Sequence, residues 1–434
     1  MVFDKGGESM EKLAFLFTGQ GSQYIGMAKS LYDEHEIVRQ TFEEANDVLG
    51  FDVGKLCFEG SLTDLTKTEN TQPALLTVGM AYFRAYMKEV GIAPHFLAGH
   101  SLGEYTALTC AGVWKFADAL EIVRERGQLT KEIVESDVGA MTIVDGIDKE
   151  LVEIEAKKIS DDTEHVQVNC YNAPTQVSIA GNKNKVEELE ARLLEMDAQI
   201  SPLLMSAPFH TTLMESVSEK LKDKIDQYPR YNFRYPVISN CSGAFFDDKS
   251  TIPEMMAKQA TQPVQWEETM NVLERYGVTH AIELGPKNVL CNLVKLNSGD
   301  AIEDLCYANR EDKRRVLDIF PADHHLKRHI PTVITKCLAA AVATPNENED
   351  REEFQKGVKE PYRKISHIQE ELDQSGSKPS LEQMKEALEL LKTVFDTKRV
   401  SKEEQDEWFH HILHETGTYY SLNKFLESNK ELHV

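Results

Sequence analysis

The sequence predicts an α/β protein with a buried parallel sheet, a smaller α/β unit inserted into it, and a helical extension at its carboxyl end. Three observations predict this class. Short apolar runs alternate with amphipathic helical patterns up to residue 138, a β-α-β-β-α-β order fills residues 139–206, and the α/β pattern then returns up to about residue 310. At about 150 residues per domain, 434 residues are enough for two or three domains.

The first and third stretches together predict one discontinuous α/β domain over residues 11–138 and 207–310. Its expected strands are KLAFLFTGQ (12–20), PHFLAGH (94–100), YPVISN (235–240) and HAIELG (280–285). Its expected helices, with apolar residues every three or four positions, include SQYIGMAKSLYDEH (22–35), PALLTVGMAYFRAYMKEVG (73–91) and MNVLERYG (270–277).

Residues 139–206 predict a ferredoxin-like insert. GAMTIVDG, VQVNCYN, QVSIAGN and SPLLMS have the composition of four strands. KELVEIEAKKI (149–159) and NKVEELEARLLEM (184–196) are amphipathic and predict two helices between them. The order of these six elements is that of a ferredoxin-like fold.

Residues 321–434 predict a helical extension. NENEDREE (346–353) is expected to be a solvated linker or a helix start, and Ser380 with Gln383 has the spacing of a capping box. His410 and His414 in HHILH could share a helix face as metal ligands. Because neither a third ligand nor a general-base glutamate accompanies them, a solvated helix face fits this segment better.

Composition excludes several classes of partner and location. The net charge of −24 will repel nucleic-acid phosphates and anionic lipid, except at a local basic patch. The sequence has no run of about 18 apolar residues, so no membrane span is expected. The seven cysteines are scattered singly, which predicts reduced thiols and a cytoplasmic location. The amino terminus does not have the pattern of a secretory signal, and Met10 could be the natural start after a leader over residues 1–9.

The motif GHSLG (99–103) is the strongest chemical signal in the sequence. An apolar run precedes it and a helix-forming run follows it, which is the setting of a nucleophile elbow with Ser101 at its tip. A glycine-rich turn of purely structural use is the alternative. A serine nucleophile needs a general base, and periodicity cannot choose among the 14 histidines. No motif implies a metal or a tightly held cofactor.

A set of motifs in a fixed order resembles the malonyl-CoA:acyl-carrier-protein transacylase family. The motifs are FTGQGSQ (17–23), GHSLGE (99–104), RG (126–127), NAP (172–174), APFH (207–210), Gln259 within KQATQPVQW, and ELGP (283–286). The resemblance runs from about residue 11 to residue 310. It implies an α/β-hydrolase-like catalytic core with a ferredoxin-like insert.

The resemblance also implies catalytic roles. Ser101 is expected to accept the acyl group, and His210 to act as its general base. The backbone carbonyl of Gln259 is expected to orient the histidine in place of the acid of a Ser-His-Asp triad. The backbone N–H groups of Gln20 and Leu102 match the donors of an oxyanion hole.

The expected substrate follows from Arg126. A guanidinium can bind the free carboxylate of a malonyl group through two parallel hydrogen bonds, whereas the neighbouring Arg124 is expected to be a solvated charge. His100, Phe209 and Asn172 match further substrate-binding positions. Ala207 and Phe209 before His210 resemble members that select malonyl over methylmalonyl groups. The expected donor is malonyl-CoA, and the expected acceptor is the phosphopantetheine thiol of an acyl carrier protein.

Two departures from the plain fatty-acid enzyme indicate a discrete acyltransferase that serves a polyketide or lipopeptide (nonribosomal peptide) synthase in trans. Thr18 replaces the usual proline, and the minimal family member lacks the extension. An acyl hydrolase of the same family and a non-catalytic docking module are the alternatives. The basic run ANREDKRR (308–315) is a candidate docking patch for a carrier protein, with Lys183 and Lys185 as a second candidate and a solvated domain junction as the alternative.

Overall fold

A computed structural model describes residues 11–203, 207–321, 332–348, 350–375 and 379–416, together with the single positions 377, 418 and 422. The described residues form two compact units, one before residue 323 and one after it. The predicted fold class is confirmed, since a parallel sheet, a ferredoxin-like unit and a helical extension are all present.

The first unit is built on a four-stranded parallel sheet. Its strands are β1 (Leu13–Phe17), β2 (Phe96–Gly99), β8 (His280–Glu283) and β9 (Glu303–Cys306), in the spatial order β2-β1-β8-β9. All five residues of β1 are fully buried, as expected of a central strand that is covered on both faces. Phe17 at the end of β1 lies opposite Gly99 at the end of β2, so both strands deliver the following loops to one edge.

Helices pack around this sheet. Those that precede the insert are α1 (Lys29–Glu34), α2 (Glu36–Leu49), α3 (Val53–Glu59), α4 (Leu62–Thr66), α5 (Thr68–Glu89), α6 (Leu102–Cys110) and α7 (Phe116–Glu135). Those that follow it are α10 (Glu215–Asp226), α11 (Ile252–Thr261), α12 (Trp266–Arg275), α13 (Val289–Ser298) and α14 (Arg310–Ile319). Short 3₁₀ turns cover Thr212–Met214 and Lys249–Thr251.

The insert forms a second sheet. Its elements are β3 (Gly139–Asp145), α8 (Lys149–Ile159), β4 (Val166–Ala173), β5 (Gln176–Asn182), α9 (Lys183–Glu195) and β6 (Gln199–Pro202). The spatial order β6-β3-β5-β4 is antiparallel throughout. The two-residue strand β7 (Val264–Gln265), which follows α11, then pairs in parallel with β4. The sheet of the insert is therefore completed by a strand from outside residues 139–206.

The second unit is helical. Its elements are α15 (Val333–Ala343), α16 (Arg351–Phe354), a π-helical turn (Gln355–Lys359), α17 (Glu360–Ser375), α18 (Leu381–Lys398) and α19 (Lys402–Glu415). The predicted capping box of Ser380 and Gln383 is present at the start of α18. Among the helices that the structure describes, none has both the length and the apolar character needed to cross a membrane.

Three predicted elements differ from the structure. Helix 22–35 is reduced to Lys29–Glu34, because Gly26 and Ala28 have φ angles of 96° and 62°, which break a right-handed helix. The segment YPVISN forms only isolated bridges, Leu97 with Val237 and Ile238 with Phe245. Pro236 has no N–H to donate to a ladder, although its carbonyl accepts from the Leu97 N–H at 2.9 Å. Of the predicted strand SPLLMS (201–206), only Ser201 and Pro202 belong to β6, which begins at Gln199, and residues 204–206 lie outside the described residues.

Candidate active site

Ser101 lies at a sharp turn between β2 and α6. Its backbone has φ 51° and ψ −109°, which is a strained conformation for a residue with a Cβ. The turn also requires both flanking glycines. A Cβ on Gly99 would lie 2.0 Å from the Gly103 carbonyl, and a Cβ on Gly103 would lie 2.0 Å from the Phe17 carbonyl oxygen. This is the geometry of a nucleophile elbow, in which the serine hydroxyl projects from the edge of the sheet.

His210 lies within hydrogen-bonding distance of this serine. The distance from Ser101 Oγ to His210 Nε2 is 2.7 Å, and His210 Nδ1 lies 2.6 Å from the backbone carbonyl oxygen of Gln259. A carbonyl can only accept, so Nδ1 carries the proton and Nε2 is free to accept the serine hydrogen. Burial, with the positive charge of Arg126 as a smaller cause, lowers the pKa of His210 to about 3, and the ring is therefore neutral at neutral pH.

The two expected oxyanion-hole residues, Leu102 and Gln20, follow β2 and β1, and Gln20 lines the same cavity as Ser101. Leu102 is the first residue of α6, so its N–H has no carbonyl in the preceding turn to bond. Gln20 follows β1, and its N–H shares a peptide group with the Gly19 carbonyl, which accepts from Ser22 Oγ at 2.8 Å. That bond fixes the plane of the peptide and hence the direction of the Gln20 N–H.

These groups open onto a cavity of about 290 Å³. It is lined by both reactive side chains, by the loop after β1 and by the insert: Gln20, Gly21, Gln23, Thr66, His100, Ser101, Met141, Cys170, Pro202, Leu203, Phe209 and His210. The site therefore sits between the parallel sheet and the ferredoxin-like insert, within the first unit.

Arg126 is a buried cation next to this centre. It projects from α7, is 1% exposed, and its guanidinium carbon lies 4.5 Å from the ring centroid of Phe209 and 5.4 Å from that of Tyr105. Its Nε and Nη2 atoms are buried and have no hydrogen-bond partner among the described residues. Those two nitrogens form the side-on pair that binds a carboxylate with two parallel bonds. Burial lowers the pKa of Arg126, which indicates that an anionic partner would be favourable here.

His100 and Asn172 are bonded to each other. His100 Nε2 lies 2.8 Å from Asn172 Oδ1, and the Asn172 carbonyl accepts from Asn297 Nδ2 at 2.8 Å. His100 lines the cavity, whereas Asn172 adjoins it through the histidine ring. Burial lowers the pKa of His100, so this ring is also neutral at neutral pH.

Three buried polar residues, two of them hydrogen-bonded around Ser101, have no role in the sequence-based prediction. Asn240 and Glu104 are each 1% exposed and hydrogen-bond around Ser101, and burial raises the pKa of Glu104 to about 7. Gln72 is fully buried on α5, with both of its amide atoms unpartnered among the described residues. The sequence could have drawn attention to two of these residues. Gln72 is a polar residue within the apolar run TQPALL, and Glu104 directly follows the GHSLG motif. Asn240 is 139 residues from Ser101 and has no such signal.

Comparison with known proteins identifies the family. The acyl transferase domain family matches residues 14–304. A malonyl CoA-acyl carrier protein transacylase of Bacillus subtilis is 34% identical over 396 residues, which are 91% of this chain and 99% of that protein. The Escherichia coli K12 protein of the same name is 37% identical over 287 residues, which are 66% of this chain and 93% of that protein.

Solved structures of such enzymes have the same fold. The malonyl-CoA:acyl carrier protein transacylase of Xanthomonas oryzae superposes with a TM-score of 0.69 at 34% identity, over 72% of this chain and 99% of that one. A malonyl transacylase solved in complex with a type II polyketide-synthase acyl-carrier protein gives 0.68 at 35% identity, over 71% and 99%. The chain is therefore an acyltransferase enzyme that belongs to the malonyl-CoA:acyl carrier protein transacylase family.

Proposed function

We propose that this enzyme transfers the malonyl group of malonyl-CoA to the phosphopantetheine thiol of an acyl carrier protein through a malonyl ester on Ser101. The observation that carries the proposal is that Nε and Nη2 of Arg126 are buried and unpartnered among the described residues, close to the hydrogen-bonded pair of Ser101 and His210. A neutral acyl group could not pair with this buried cation. The malonyl carboxylate would accept hydrogen bonds from both unpartnered nitrogens of Arg126.

In the first half-reaction Ser101 Oγ attacks the thioester carbonyl of malonyl-CoA while His210 Nε2 takes the hydroxyl proton. The negative charge then forms on the carbonyl oxygen, where the N–H groups of Gln20 and Leu102 would stabilise it, each by about 3 kcal/mol. Collapse of the tetrahedral intermediate breaks the C–S bond. The departing CoA sulfur receives the proton from His210, and the malonyl group remains on Ser101 as an ester.

The second half-reaction is the reverse with another thiol. The phosphopantetheine thiol gives its proton to His210 Nε2 and its sulfur attacks the ester carbonyl. Collapse then breaks the bond to Ser101 Oγ, which recovers the proton from His210. The backbone carbonyl of Gln259 supports both directions, because it holds the proton on Nδ1 and leaves Nε2 free to accept and donate.

Bulky side chains around the expected position of the acyl group support selection of malonyl over branched acyl groups such as methylmalonyl. Phe209 stacks on Arg126 and also lines the cavity, so it would limit the space beside the acyl α-carbon. His100, held by Asn172, would limit the other side of the serine. One methyl group is worth only about 1–3 kcal/mol of discrimination, so methylmalonyl transfer is expected to be slow but measurable.

We also propose that the enzyme serves a polyketide or lipopeptide synthase in trans. The Bacillus subtilis relative aligns over 91% of this chain, which takes the match well beyond the first unit and into the helical extension. The structural neighbour with a bound type II polyketide-synthase carrier supports a carrier protein as acceptor. Transfer rates to carrier proteins from fatty-acid, polyketide and nonribosomal peptide synthases test this point, and equal rates for all three would contradict it.

The test of malonyl transfer is Arg126→Ala, with Arg124→Ala on the same helix as the matched control. Loss of the guanidinium leaves the substrate carboxylate buried and unpaired, a cost of about 2–5 kcal/mol, so kcat/KM for malonyl-CoA should fall by at least about 30-fold. The rate with acetyl-CoA relative to malonyl-CoA should rise. Arg124 donates to the Leu49 carbonyl at 2.6 Å, away from the cavity, and its variant should keep the wild-type preference. Equal losses with malonyl- and acetyl-CoA would contradict the proposal.

A further inference from the structure

The strained backbone of Ser101 is held at both of its polar atoms by side chains from elsewhere in the fold. Its N–H donates to Asn240 Oδ1 at 2.7 Å, and its carbonyl oxygen accepts from Gln259 Nε2 at 2.8 Å. Asn240 also donates from Nδ2 to the Gly99 carbonyl at 2.7 Å, two residues before the serine. The elbow is therefore bonded on both sides of its tip.

Glu104 joins these two side chains to each other. Its Oε2 accepts from the same Gln259 Nε2 at 2.7 Å, and its Oε1 accepts from the Asn240 backbone N–H at 3.0 Å. Both Asn240 and Glu104 are 1% exposed, and Gln259 is fully buried, so water does not compete for these bonds. Glu104 lies in the first turn of α6 and thus moves with the elbow itself.

We propose that Asn240 and Glu104 are positioning residues, which keep Ser101 in its strained conformation with Oγ directed at His210, and that the Gln259 side chain is the link between Glu104 and the serine. A non-glycine residue at φ 51° persists only where its surroundings over-determine it. The five hydrogen bonds that Asn240 and Gln259 make with Gly99, Ser101 and Glu104 provide that restraint. The proposal rests on the proposed function only in taking Ser101 as the reactive residue.

The substitution Glu104→Gln tests the restraint with little change of volume. Both carboxylate oxygens of Glu104 face N–H donors, so a carboxamide must turn its own NH₂ toward either Asn240 N or Gln259 Nε2. One of the bonds that hold the elbow is then lost. Glu283→Gln is the matched control, because Glu283 is fully buried, accepts from the Cys291 N–H at 2.7 Å and, among the described residues, forms no hydrogen bond with Ser101, Asn240, Gln259 or Glu104.

The experiment measures three quantities for each variant at pH 7.5: the rate of Ser101 labelling by a fluorophosphonate probe, kcat and KM with malonyl-CoA, and the thermal midpoint. A misplaced nucleophile costs on the order of 100-fold, so Glu104→Gln should lower the labelling rate and kcat by about 10- to 100-fold, with KM within about 3-fold of wild type. Glu283→Gln should shift the midpoint without such a loss. A labelling rate for Glu104→Gln within 3-fold of the control, or a rise in KM alone, overturns the proposal.

Gln259→Met provides a second variant if Glu104→Gln does not fold. It removes the side-chain amide but keeps the backbone carbonyl that bonds His210, so it separates the two contacts of this residue. The same fall in labelling rate and kcat is expected, and an unchanged labelling rate overturns the proposal. Because the probe requires no malonyl-CoA, a wild-type enzyme that reacts with the probe and not with malonyl-CoA would contradict the proposed function alone.

Discussion

Glu283 is a carboxyl group whose ionisation the fold opposes. Burial raises its pKa from 4.5 to about 7, in spite of a hydrogen bond from the Cys291 N–H. The folded protein therefore binds more protons than the unfolded chain between those two pH values, and the free energy of unfolding should fall as pH rises through this range. Above about pH 7 this loss of unfolding free energy is complete, and Glu283 should contribute no further dependence of stability on pH.

The variant Glu283→Gln should reduce that dependence on pH. Urea unfolding of wild type and variant at pH 5 and pH 8 measures it. The variant should lose less unfolding free energy between the two pH values, by about 3 kcal/mol at most for a shift of this size. Identical losses of unfolding free energy in the two proteins would show that ionisation of Glu283 does not destabilise the fold. Other titrating groups are common to both and cancel in the comparison.

Single residues differ in how far the sequence could reveal them. Ser101 stands out by itself because GHSLG between a strand and a helix is a local pattern. His210, Gln259 and Arg126 lie far from it along the chain, and only the resemblance to a family connects them to it. Asn240 has neither signal, since an asparagine in a loop is ordinary and its contact with Ser101 exists only after folding.

At the scale of elements, the turn between β2 and α6 depends on a close approach to β1. A Cβ on Gly103 would lie 2.0 Å from the Phe17 carbonyl oxygen, so Gly103→Ala must push the helix away from the strand. We expect a loss of more than about 4 kcal/mol of unfolding free energy, or no folded protein. Gly54→Ala on α3 is the control, because its Cβ would meet only side-chain atoms, the nearest at 3.2 Å. Similar stability losses in both variants would contradict a special requirement at the elbow.

Helices and strands with a regular hydrophobic period could be predicted from the sequence. Elements whose extent depends on local backbone conformation could not. β3, α8, β4, β5 and α9 follow alternating or three-to-four-residue apolar patterns, and the structure has them within a few residues of the predicted bounds. The segment 22–35 has a helical pattern as well, but a positive φ at Ala28 delays the helix. In YPVISN apolar composition predicts a strand, and the missing N–H of Pro236 limits it to bridges.

At the scale of the whole molecule, the net charge of −24 sets the long-range electrostatic field. Carrier proteins of this kind are typically acidic, so the average field should oppose encounter. Raising the salt concentration from 50 to 300 mM should therefore lower KM for a carrier protein. Free pantetheine, an uncharged thiol acceptor, is the control, and its KM should not change. A KM for carrier protein that rises with salt would show that an attractive patch dominates instead.

The structure weakens the case for residues 310–315 as a basic docking patch for a carrier protein, because their basic side chains have acidic partners. Lys313 pairs with Glu89 at 2.9 Å, Arg315 pairs with Glu303 and Asp312, and Arg314 lies 3.7 Å from Asp318. Lys183 and Lys185 on the insert pair with Asp137 at 2.5 Å and Asp161 at 2.7 Å. These acidic partners neutralise much of the positive charge that the sequence pattern indicates. Asp312 and Asp318 lie on the same helix as the arginines, whereas the other partners come from elsewhere along the chain.

The most direct test of the central claim, transfer through a malonyl ester on Ser101, is a chase of the isolated acyl-enzyme. The enzyme is mixed with labelled malonyl-CoA, freed of CoA, and then given phosphopantetheine-loaded carrier protein or buffer, with intact mass spectrometry of both proteins. We predict a malonyl adduct on wild type and none on Ser101→Ala, and its stoichiometric movement to the carrier with little release into buffer. An adduct on Ser101→Ala, or hydrolysis in buffer as fast as transfer to the carrier, would contradict the account.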